Sequence, residues 1–253
     1  MNTISTELSG QLVSVVVPVL DEADNLPALV GRIRGAFLAS RRHCELLVVL
    51  DGCTDNSLAV LLALPTGQVP LRIIELAHGV GQHAAIGVGL RYARGATILT
   101  IDADLQNPPE ALPEIVRRLD AGVDAVGTTR RGRRDARHRA VASALFAHSL
   151  RLLGVRHTMA DPGCMLRGWR RHVVNAWLAT GEPALYLPTQ LNRHARSYEE
   201  FEAEHFAREA GASRYDLTRL ARLFLRTVAV ELVPQRLHAA QPRVAAVYED
   251  ENP

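Results

Sequence analysis

The segment Asp102-Ala103-Asp104-Leu105-Gln106 sets two carboxylates two residues apart, directly after the apolar run ATILTI at 96–101. Alternate side chains on an extended segment share one face. Two carboxylates on one face repel each other unless something positive lies between them. A hard divalent cation suits such a pair, since Mg²⁺ takes oxygen ligands and uses one or two carboxylates together with phosphate oxygens. Gln106 adds an amide oxygen two residues on, so Asp102, Asp104 and Gln106 form one candidate metal set, for Mg²⁺ or Mn²⁺. An ion held there would neutralise a diphosphate leaving group, which is electrostatic catalysis by metal. Two more acidic signals follow apolar runs upstream, Asp21-Glu22 and Asp51. Taken singly, such aspartates are ordinary turn and cap residues. Three strand ends delivering carboxylates to one crevice are what point to a site.

The elements that must position these acids can be read from periodicity. Residues 12–20 (LVSVVVPVL), 46–50 (LLVVL), 71–76 (LRIIEL), 96–101 and 123–128 are apolar, β-branched runs that predict buried strands. Between them, Leu26, Leu29, Val30, Ile33 and Phe37 fall at helical spacing, and helices are expected over 58–64 and 84–93. Asn107, Pro108 and Glu110 predict a helix start, with Asn107 as cap and Glu110 at the capping-box position. Strands alternating with helices argue an α/β fold with a mostly parallel sheet flanked by helices. In such sheets ligands gather at the carboxyl ends of the strands.

Composition narrows the chemistry. The chain has 253 residues, 47% of them hydrophobic, which is enough for one substantial core. A net charge of +2 supplies no global basic field for nucleic acid. All 29 basic residues are arginine. Lysine nucleophiles, lysine bases and a P-loop lysine are therefore excluded. Any anion must be held by arginine, backbone amides or metal. The three cysteines, Cys44, Cys53 and Cys164, form no CxxC pair and no even framework, which predicts a reducing, cytoplasmic setting. The first residues carry neither a basic start nor an apolar core of the kind a signal peptide has.

Taken together, Pro18 with Asp21-Glu22, DGCTDNS, GQHAAIGVGL and IDADLQNPPE resemble family 2 glycosyltransferases, and ADPGCMLRGWRR resembles the polyprenyl-phosphate branch of that family. The likeness runs from about residue 13 to about 222. It implies a Rossmann-like GT-A fold and an inverting enzyme that moves a sugar from a nucleoside diphosphate, UDP before GDP, to a polyprenyl phosphate such as undecaprenyl phosphate. It also implies roles. Pro18, Leu20, Glu22 and Asp51 would line the nucleotide, and Gly81, Gln82 and His83 would form a glycine-rich turn beside the donor. Asp102, Asp104 and Gln106 match the metal and diphosphate motif. Arg130, Arg133 and Arg139 match arginines that hold the acceptor phosphate, Asp161 and Arg167 match the floor of the sugar pocket, and Arg208, Ser213 and Arg214 match a late basic loop over the diphosphate. The chain departs from the family pattern at Leu20-Asp21, Leu50 and Gly79-Val80, positions expected to touch base and ribose.

Residues 130–139 pack six arginines into ten positions, a solvated loop or an anion clamp beside the metal motif. The organisation expected is a catalytic domain at 1–214, an amphipathic helix at 215–238 and a disordered tail at 239–253. Leu217, Leu220, Phe224 and Val228 form the helix's apolar stripe, suited to core packing or to a membrane interface. No run approaches the roughly 20 apolar residues needed to span a bilayer. A peripheral position on the inner face of the cytoplasmic membrane is therefore expected, with a separate membrane partner as one source of an anchor. Trp169 and Trp177 read as packing residues, and Tyr186 and Tyr215 as lining of the acceptor channel. Two other readings stay open: the same fold with a soluble acceptor, and a nucleotide-sugar-binding module without turnover.

Overall fold

The computed structural model describes residues 12–130, 157, 159–206 and 242–249. Its strands are β1 (Val13–Val19), β2 (Cys44–Leu50), β3 (Leu71–Leu76), β4 (Thr97–Thr100), β5 (Ala125–Arg130), β6 (Arg167–Arg170), β7 (Tyr198–Ala203) and β8 (Val244–Glu249). The helices are α1 (Leu26–Ala39), α2 (Ser57–Leu62), α3 (Gln82–Tyr92), α4 (Leu112–Asp120), α5 (Arg171–Thr180) and α6 (Leu187–Asn192), with a 3₁₀ turn at Pro109–Ala111. The strands form one sheet in the order β7-β5-β6-β4-β1-β2-β3-β8.

The centre, β4-β1-β2-β3, is parallel. Its strands are buried on both faces, which is why they read as unbroken apolar runs. Side-chain alternation splits β1 between two cores. Val13, Val15, Val17 and Val19 pack under α1 and α4, whereas Val16 packs with Leu47 and Val49 under α3 and α5. Trp169 and Trp177 lie in the second core, about 1% exposed, as packing residues.

Three features differ from the sequence expectations. β6 runs antiparallel between β4 and β5, so β5 does not pair with β4 directly. The tail expected to be disordered contains β8, antiparallel on the edge of β3. Its polar residues are used there, because Glu249 accepts hydrogen bonds from Arg72 Nε (2.8 Å) and Arg94 (3.1 Å). Finally, Asn107 does not cap a helix. Pro108 and Pro109 have no N–H to donate to its side-chain oxygen, and α4 begins only at Leu112. Glu110 pairs with Arg32 instead (2.7 and 2.9 Å). The helical segment expected at 215–238 lies outside the described residues.

Candidate functional site

Pro18 shows how the sheet opens a crevice. In β1 the Val19 carbonyl bonds towards β2 and the Val16 carbonyl towards β4, so the position of Pro18 faces the β4 side. Pairing with β4 stops at Val16↔Thr100, so the missing proline N–H costs no ladder bond. Between the diverging ends of β1 and β4 lies the topological switch point, where open α/β sheets bind ligands.

The loops after β1 and β2 are laced together. Asp21, at φ +54, accepts the amides of Thr54 (2.7 Å) and Asp55 (3.2 Å). Asp55 accepts the amides of Ala23 (3.0 Å) and Ser57 (2.9 Å). Burial raises the Asp55 carboxyl, but the Ser57 and Ala23 bonds outweigh it and hold the group below its ordinary value. Glu22 accepts from the Asn25 amide side chain (2.6 Å), and its own N–H donates to the Ser57 hydroxyl (3.3 Å). Leu20 is exposed at this rim. Asp21, Cys53 and Asp55 bring one potential ligand atom each within 4.8 Å of one another, although both carboxylates already serve as loop braces.

Asp51 is 4% exposed, and its two oxygens accept the amides of Val80 (2.7 Å) and Gly81 (2.9 Å). It therefore shapes the turn that starts α3. Gly52 is required beside it: at φ +70, a Cβ would stand 2.3 Å from the Gly79 nitrogen. Gln82, the first residue of α3, donates to Asp102 Oδ1 (2.6 Å), and Asn107 donates to Asp102 Oδ2 (3.3 Å). The chain does not stay extended here. β4 ends at Thr100 and a turn follows, with Leu105 at φ +58 and the Gln106 amide donating to Asp104 Oδ1 (3.2 Å). The acids are thus gathered by a turn rather than by strand alternation. His83 packs edge-on against Tyr186, with ring centroids 5.2 Å apart.

A second network holds the 160–164 loop. Arg130 forms a two-pronged pair with Asp161 (2.5 and 2.8 Å), both largely buried. Arg167 is fully buried and donates to the carbonyls of Cys164 (2.6 Å) and Asp161 (2.5 Å) and to the Tyr198 hydroxyl (2.8 Å). It braces the loop from beneath. Tyr198 donates to Glu200 (2.6 Å), which accepts the Ala160 amide (2.9 Å). The Tyr186 hydroxyl donates to the Pro162 carbonyl (2.5 Å), and Tyr186 is 1% exposed among the described residues, so it orders this loop. Cys164 joins the two networks, lying 3.1 Å from the Thr128 hydroxyl and 3.6 Å from Asn107 Oδ1. Burial pushes its thiol up, against the pull of Arg167.

Three strand ends are thereby connected, from Asp51 through the Gly81-Gln82 turn to Asp102, Asn107 and Cys164. Sequence reasoning missed Asn107, Tyr198 and Glu200; the proline pair after Asn107 was the available signal against a cap. Arg133, Arg139, Arg208, Ser213, Arg214 and Tyr215 lie outside the described residues.

A mostly parallel sheet with acids converging at its switch point is the architecture of a GT-A glycosyltransferase. A family model described as "Glycosyl transferase family 2" matches residues 14–177, and the chain belongs to that family. It is 39% identical over 212 residues to undecaprenyl-phosphate 4-deoxy-4-formamido-L-arabinose transferases of Yersinia pestis (strain Pestoides F) and Yersinia pseudotuberculosis serotype I (strain IP32953), covering 83% of this chain and 64% of theirs. The chain thus spans just under two thirds of these curated relatives. The fold is similar to that of mannosyl-3-phosphoglycerate synthase from Rubrobacter xylanophilus (18% identity, TM-score 0.63, 88% of this chain and 73% of that one). It is also similar to that of glucosyl-3-phosphoglycerate synthase from Mycobacterium tuberculosis in complex with Mn²⁺ and UDP-glucose (19% identity, TM-score 0.58, 88% and 80%).

Proposed function

We propose that this chain transfers a sugar from a nucleoside diphosphate, with UDP as the nucleotide, to a polyprenyl phosphate such as undecaprenyl phosphate, inverting the anomeric carbon. The observation that carries this is the 39% identity over 212 residues to enzymes named for transfer to undecaprenyl phosphate. The donor would lie over the Asp51–Gly81–Gln82–Asp102 arc.

The donor set fits a hard cation. Asp102 and Asp104 are only partly buried; Gln82 and Asn107 donate to Asp102, and the Gln106 amide donates to Asp104. These bonds orient the carboxylates. Asp102, Asp104 and Gln106 would hold Mg²⁺ or Mn²⁺, which would neutralise charge on the leaving diphosphate. The acceptor phosphate oxygen is already anionic, so attack on C1 needs no strong general base. The protein's task is then to hold two anions close together. Asp161 fixes the plane of Arg130, and the sequence carries further arginines at 131–139 that would add positive charge for the acceptor. The lipid acceptor places the enzyme peripherally on the inner face of the cytoplasmic membrane, with 215–238 as the contact segment. Among the described residues no helix is long and apolar enough to cross a membrane.

The test is transfer of radiolabel from UDP- and GDP-sugars, with Mg²⁺ or Mn²⁺, into undecaprenyl phosphate in detergent. Metal-dependent label in the organic phase supports the proposal. Donor hydrolysis without lipid product moves the acceptor to a soluble molecule, and nucleotide binding without turnover leaves a binding module.

A further inference from the structure

A pocket of ≈ 210 Å³ opens at the carboxyl ends of β2 and β3, with Gly52, Cys53, Asp55, Glu75 and His78 in its wall. Its ionisable lining includes two carboxylates, and among the described residues no guanidinium lines it. Such a wall repels phosphate and matches a ligand edge rich in N–H donors, as a nucleobase presents. Asp51 is not in this wall, since its oxygens face the Val80 and Gly81 amides. Asp55 is braced by the amides of Ala23 and Ser57.

Glu75 is differently placed. It sits near the end of β3, opposite Ala246 of β8, with an irregularity in the pairing between Glu75 and Leu76. Tyr248, opposite Ile73, reaches along the same face of the pair, and its hydroxyl donates to Glu75 Oε2 (3.1 Å). Diagonal neighbours on one face of an antiparallel pair are within reach of an aromatic side chain. The ring of Tyr248 is anchored against the first core. Further along, the Arg243 carbonyl accepts the amide of Ala77, another wall residue (3.0 Å). Glu75 thus lines the pocket while Tyr248 orients its carboxylate through Oε2.

We propose that β8 completes a nucleobase subsite, in which Glu75, oriented by Tyr248, accepts an N–H from the base of the donor and helps select the nucleotide. This rests on the nucleotide-sugar reading above. Glu75 is the contact residue and Tyr248 a positioning residue.

Calorimetric titration of the purified chain with UDP, GDP and inorganic diphosphate, each with Mn²⁺, tests it. Glu75→Ala is expected to weaken the preferred nucleotide about tenfold, since a base N–H loses its charged acceptor, and to leave diphosphate affinity within about twofold. Tyr248→Phe is expected to weaken the same nucleotide less, about threefold, and to add nothing in the Glu75→Ala background. Thermal melting checks that both variants fold. Folded variants that bind the nucleotide like the parent, or that lose diphosphate equally, overturn the inference alone. A parent chain that binds neither nucleotide overturns the donor reading, and this inference with it.

Discussion

At the amino ends of β1, β2 and β3 stand Ser14, Glu45 and Arg72; at the carboxyl ends stand Asp21, Asp51 and Glu75, with Asp102 after β4. Glu45 is 4% exposed and accepts the Ser14 hydroxyl (2.5 Å), the Arg94 amide (2.6 Å) and, more distantly, Arg72 (3.5 Å). Arg72 also reaches Glu249 and the Tyr92 carbonyl. Buried charge there meets opposite charge and a closed set of hydrogen bonds. At the other end Asp21, Asp51 and Asp55 hold backbone amides, and the turns carry positive φ at Asp21, Gly52, Gly81 and Leu105. Neutral donors fix these carboxylates without cancelling their charge. The difference teaches that one end of the sheet is closed by paired charge, whereas at the other the carboxylates hold backbone amides and keep their charge.

The sharpest way to break this contrast is Glu45→Ala. It leaves Arg72 less compensated and takes away the acceptor of the Ser14 hydroxyl, at a cost of about 3 kcal/mol. Denaturant unfolding should show the loss as a lower midpoint at unchanged slope, with turnover per folded molecule unaltered. A loss of turnover at full stability would erase the contrast. Next, Asp104→Ala should lower kcat about 100-fold, roughly 2.7 kcal/mol, while the melting temperature stays put. Asp51→Asn replaces one acceptor with an NH₂ that faces an amide, which costs about 1.5 kcal/mol locally. It should raise the donor KM more than it lowers kcat, because the Gly81 turn loosens; steady-state kinetics separate the two effects.

The smallest effect is expected at Glu114, on the surface of α4. Hydrogen bonds from Arg117 and then Arg118 outweigh burial and hold its carboxyl down from 4.5 to about 2. The folded value lies below the unfolded one, so the contribution is present above about pH 4.5 and fades as pH falls towards 2. Water screens the pair, so the contribution should be under about 1 kcal/mol. Glu114→Gln should flatten the acid limb of the stability profile slightly, and 1 M salt should hide the difference. A large effect would show that pairing without burial stabilises as much as the Glu45 cluster does.

The four central strands were legible because burial on both faces demands apolar, β-branched runs, and those runs end where the acids begin. β6 was less legible: RGWR is short and arginine-rich, and Arg167 is buried only because Tyr198 and two carbonyls satisfy it. β8 was read as a polar tail because its residues alternate only weakly; pairing with β3 and the Glu249 contacts stabilise it, and both partners are remote in sequence. Asn107 carried a cap signal, yet its side chain turns to Asp102.

By itself, the sequence determined the α/β layering, the strand-end acids and the Asp102–Asp104 motif, since local periodicity and spacing encode them. Only the tertiary structure decided what each group touches. Asp51 shapes a turn, Arg130 meets Asp161 across 31 residues, and Tyr248 reaches Glu75 across 173. Such pairings depend on sheet order and register, which bring distant segments together and which no local pattern records.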